Sequence, residues 1–89
     1  MNWIREILSN ALFEMYGDIL RNIESELAGG DEDKLKKIIQ LNQPKFREWK
    51  EWFMNADLKT YNSDNTMDII MDLAYDLKRK VITHLESVK

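Results

Sequence analysis

Apolar residues recur along this chain at helical spacing, not strand spacing. In the first third, Ile4, Leu8, Leu12, Met15, Ile19, Ile23 and Leu27 follow one another in steps of three and four. Such steps stack side chains on one face of an α-helix. The pattern predicts a first helix over residues 3–28. Asn2 stands where a side-chain oxygen can accept one of the unpaired backbone N–H groups at a helix start. Gly29 and Gly30 end the helix, because Gly enters the left-handed conformation that closes a helix without steric cost. Gly17 falls on the polar side with Asn10, Glu14 and Arg21, and the stripe keeps its phase through it. One helix, straight or bent at Gly17, is expected there, at a cost of about 1 kcal/mol relative to Ala.

A second helix is predicted over residues 32–41. Asp31, Glu32 and Asp33 open it with charges suited to the positive end of a helix dipole, and Leu35, Ile38 and Ile39 face inward. A third starts near Pro44, a residue favoured at the first helical position, and runs to about residue 56. Phe46, Trp49, Phe53 and Ala56 share one of its faces. The polar stretch 57–65 reads as the main loop. A fourth helix is predicted over residues 66–88, capped by Asp64 or Asn65. The expectation is a single all-α domain over residues 1–89. Its architecture is a small four-helix bundle or orthogonal helical array, with two long helices flanking two short ones.

Composition narrows the classes without naming one. With 44% hydrophobic residues the chain is too apolar for disorder, and one Pro and three Gly leave few breaks for short strands. A chain of 89 residues buries only about 60–65% of its unfolded surface, a modest core to which a partner subunit would add. Cysteine is absent, which excludes disulfides and thiolate metal sites and favours a reducing, cytoplasmic setting. Arg5 and Glu6 interrupt any signal-peptide-like run, and no apolar run is long enough to span a bilayer. A formal charge of −3 argues against general nucleic-acid binding.

The chemistry-bearing residues are sparse. His84 is the only imidazole and falls within the apolar arc of the last helix, so packing is its plainest role. Neither a zinc site nor a catalytic dyad follows from one His without nearby ligands. Arg79 and His84, spaced Arg-x4-His on a late helix, resemble the motif of HEPN-type ribonucleases, which are small all-helical proteins. The resemblance implies that both residues act on RNA across a dimer interface. It covers residues 79–84 alone, and Lys80 stands where that motif commonly has a polar residue. A ribonuclease or an inactive relative of one is therefore the first alternative function.

Other motifs are weaker. Gly29-Gly30 precedes a helix as a phosphate cradle would, but the acids that follow would repel an anion. The run Asn62 to Asp68 is rich in oxygen ligands. It lacks the central Gly of a calcium loop, and Leu73 stands where its last carboxylate belongs. The second and third helices suggest a helix-turn-helix that would present Gln43, Lys45 and Arg47 to DNA. Glu48 and Glu51 oppose that second alternative. No catalytic, cofactor or metal site is expected.

Two features exceed what a minimal monomer needs. Helices one and four carry apolar arcs of roughly 200°, where a one-sided surface helix needs little more than about 100°. Tightly packed neighbours are one use for the excess, and a homodimer or partner groove is the other. Trp3, Leu12, Tyr16, Tyr75 and Ile82 are the candidate dimer contacts. Second, Asp68, Asp72 and Asp76 form a column on the last helix, a self-repelling arrangement that is either simply solvated or suited to a basic partner. Trp52 and Trp3 are further candidate contacts, since Trp is enriched at binding hot spots. The expected function is a non-enzymatic protein-binding module or small regulator, acting on a protein partner with a basic surface and forming a homodimer.

Overall fold

A computed structural model describes the backbone of residues 2–56 and 66–88 and the side chains of residues 14–56 and 67–88. The protein is all-helical, with no strand among the described residues. Helix α1 spans Asn2–Ala28, α2 Glu32–Asn42, α3 Phe46–Met54 and α4 Thr66–Ser87, with a 3-10 turn at Gln43–Lys45. Because that turn joins α2 directly to α3, residues 32–54 form one continuous helical segment that lies between the two long helices in chain order. No helix among the described residues is long and apolar enough to cross a membrane.

Local chemistry accounts for these boundaries. Asn2 is the first helical residue of α1 and does not precede it. Helix α1 passes through Gly17 unbroken, and its end is set by Gly29 and Gly30 at φ values of 60° and 89°. The Gly29 N–H donates to the carbonyls of Ser25 and Glu26, each at 3.2 Å, satisfying acceptors that a helix end leaves unpaired. Asp31 caps α2, its carboxylate accepting from the Lys34 N–H at 3.1 Å. Pro44 lies in the 3-10 turn, so α3 begins two residues later than the Pro rule predicts. Asn55 closes α3, with its backbone and side-chain N–H groups both donating to the Glu51 carbonyl. The proposed caps Asp64 and Asn65 and most of the oxygen-rich run 62–68 lie outside the described residues.

Helix α1 touches α2, α3 and α4. The core joins Tyr16, Leu20 and Ile23 of α1, Trp49 and Phe53 of α3, and Ile70, Leu73, Leu77 and Val81 of α4. One outward and one inward assignment need correction. Tyr16, a candidate dimer contact by sequence, is buried at the centre of this core, in edge-on contact with Phe46 and tilted contact with Phe53. Its O–H donates to the Phe46 carbonyl at 2.8 Å, which gives the buried phenol its partner. Phe46, assigned inward, is the first residue of α3 and remains 42% exposed, one edge of its ring meeting Tyr16.

Candidate partner-binding face

The outward side of α4 holds most of the residues that the sequence marks for binding. Leu73, Leu77 and Val81 occupy one side of the helix and are fully buried. Four-residue steps on the opposite side produce two adjacent rows. One is Met67, Met71 and Tyr75, residues 59%, 64% and 62% exposed. The other is Asp68, Asp72 and Asp76, of which the first two are exposed and the third half-buried. The wide apolar arc is thus divided, part spent on the core and part left facing water.

The acidic row is not uniform. Asp68 lies in the first turn of α4, where a carboxylate meets the positive end of the helix dipole. Asp76 accepts from Arg79 at 2.8 Å. Asp72 lies between them and forms no ion pair among the described residues. Arg79 also lies 5.1 Å from the centre of the Tyr75 ring, extending the Met–Tyr row with a cation. Lys80 sits 4.6 Å over Trp52, covering a ring that is packed against the core and edge-on to Phe53. Trp52 is thus half-buried, with one part of its ring on the core and the Lys80 ammonium over its face. The Trp3 and Leu12 side chains lie outside the described residues, and Ile82 is half-buried.

The alternative sites are dispersed. His84 Nε2 donates to the Leu41 carbonyl at 2.8 Å, which fixes that nitrogen as the protonated one, and its ring meets Trp49 edge-on. Arg79 serves Asp76 and Tyr75 instead, so the two residues of the ribonuclease-like motif share no partner. Gln43 and Arg47 are exposed, while Lys45 pairs with Glu48 at 3.1 Å. Among the described residues no group of three His, Cys, Asp or Glu side chains is placed to hold a metal ion.

One polar constellation escaped the sequence reading. Glu24 of α1 is 3% exposed and accepts at 2.9 Å from the side-chain amide of Asn42, which is 2% exposed at the end of α2. The signal was present: Glu24 stands four residues after Leu20 and four before Ala28, both buried. A charge at that spacing points into the apolar arc.

No family model, characterised protein or solved structure matches this chain.

Proposed function

We propose that this protein is a non-enzymatic protein-binding module, built as a small four-helix bundle, whose working surface is the outward face of α4. The observation that carries this reading is the exposed Met67–Met71–Tyr75 row lying beside the carboxylates of Asp68 and Asp72. Exposed apolar rows rimmed by charge mark sites of association, and Met and Tyr supply adaptable and amphipathic contact area. The carboxylates select a partner with a basic surface.

A second copy of the chain meets that description. Along α4 the acids Asp68, Asp72 and Asp76 come first and the bases Lys78, Arg79 and Lys80 follow. A two-fold axis near Tyr75 would run the two helices antiparallel. Asp72 lies three residues before Tyr75 and Arg79 four residues after it. At about 1.5 Å per residue these offsets differ by one residue, so an axis between Tyr75 and Asp76 sets Asp72 of each copy opposite Arg79 of the other.

Sedimentation equilibrium tests this reading. Wild-type protein should approach twice 10.6 kDa at high concentration, and Met71→Lys should remain at 10.6 kDa without loss of helix content. Asp72→Asn should weaken association and its salt dependence while holding or raising thermal stability. A wild-type mass fixed at 10.6 kDa at every concentration would refute self-association through α4.

A further inference from the structure

Away from α4, a cleft of about 730 Å³ opens between α1 and the junction of α2 with α3. Gly17, Leu20, Arg21, Glu24, Asn42 and Phe46 are among the residues lining it. Its polar members are unusual. Glu24 is a buried carboxylate, and Asn42 Oδ1 is a buried acceptor with no hydrogen-bond partner. Because Asn42 Nδ2 donates to Glu24 Oε2, the amide orientation is set and Oδ1 remains an acceptor in need of a donor. An unpaired buried acceptor costs about 1–3 kcal/mol, so a donor placed there is strongly favoured.

The chain supplies no donor to Asn42 Oδ1, and Glu24 is only weakly served by its cation. Arg21 Nε lies 3.6 Å from Glu24 Oε1, beyond hydrogen-bond distance, and its side chain is 63% exposed. Arg21 therefore pairs with Glu24 from a largely exposed position. Beside it, Phe46 leaves 42% of its surface open to the cleft and solvent. Gly17 adds no side chain at the mouth, and a Cβ built there would meet nothing within 4 Å. Buried acceptors, a buried negative charge and an exposed aromatic ring together suit a planar cation with several donors.

We propose that this cleft binds a guanidinium group carried on an apolar stem, which displaces the Arg21 side chain, donates to Glu24 and Asn42 Oδ1, and lies against Phe46. The group is either that of a free alkylguanidine or that of an arginine side chain, and the site is independent of the α4 face.

The test is a two-dimensional NMR titration of the full chain with agmatine and, separately, with an arginine capped at both ends. Tetramethylammonium chloride serves as a cation without donors. Saturable shifts of the Asn42 side-chain amide and the Gly17 N–H are expected with a guanidinium and not with tetramethylammonium. Saturation by agmatine alone indicates a free alkylguanidine, and saturation by capped arginine as well indicates a site open to side chains. Glu24→Gln should bind roughly tenfold more weakly, the loss expected when a charge-assisted hydrogen bond becomes neutral. Arg21→Ala should bind more tightly, because the internal competitor is gone. Equal shifts from tetramethylammonium, or no saturable shift in both wild type and Arg21→Ala, would overturn the proposal.

Discussion

Replacing Tyr16 with Phe separates a hydrogen bond from the packing around it. The Tyr16 ring is fully enclosed, and Phe retains its contacts with Phe46 and Phe53. What is lost is the 2.8 Å bond to the Phe46 carbonyl. One such bond contributes about 1 kcal/mol net, so Tyr16→Phe should lower the melting temperature of a domain this size by about 4–8 °C at neutral pH. The pH dependence is more diagnostic. Burial, and secondarily the negative charge of Glu24, raise the Tyr16 phenol well above its ordinary range. With the folded value above the unfolded value of about 10, the stabilising effect is fully present below that pH. It is lost as pH rises further, because the unfolded chain releases a proton that the folded chain keeps. The slope approaches about 1.4 kcal/mol per pH unit, and Tyr16→Phe lacks this component. The two stability curves should therefore meet within about one pH unit above 10 and then cross. Urea unfolding followed by circular dichroism from pH 7 to 11 would measure both curves. A constant difference between the two proteins over that range would refute the assignment of Tyr16 as a buried, un-ionised hydrogen-bond donor.

Two further substitutions probe the fold. Phe53→Ala empties the centre of a fully buried cluster and should cost about 3–5 kcal/mol, read as a large fall or loss of the cooperative thermal transition. Gly17→Ala should raise stability by about 1 kcal/mol, since the added Cβ meets no atom within 4 Å and mid-helix Gly is unfavourable; a lower melting temperature would contradict this.

Much of the candidate face was legible from residue spacing. The row Asp68, Asp72 and Asp76 needed only the helical repeat, and the structure sets it on the outward side of α4 with Tyr75 beside it. The role of Asp68 was less legible, because its favourable position depends on α4 beginning at Thr66. Trp52 is a candidate contact by residue type alone. Lys80, which covers it, comes from another helix, twenty-eight positions along the chain, and local spacing carries no information about that contact.

The sequence by itself determined the helices of α1, α2 and α4 to within one residue at each described boundary. Backbone pairing spans four residues, and capping involves groups equally close in the chain, so both are written locally. It also determined that α4 would carry more apolar circumference than one neighbour can cover. Only the tertiary structure decided which sector of each wide stripe is buried. Tyr16 went to the core and Tyr75 to the surface because α3 packs over one and no described element covers the other. The same packing brought Glu24 and Asn42, eighteen residues apart, into one buried pair. Periodicity specifies the direction of a side chain from its own helix axis, whereas burial depends on what another part of the chain places in that direction.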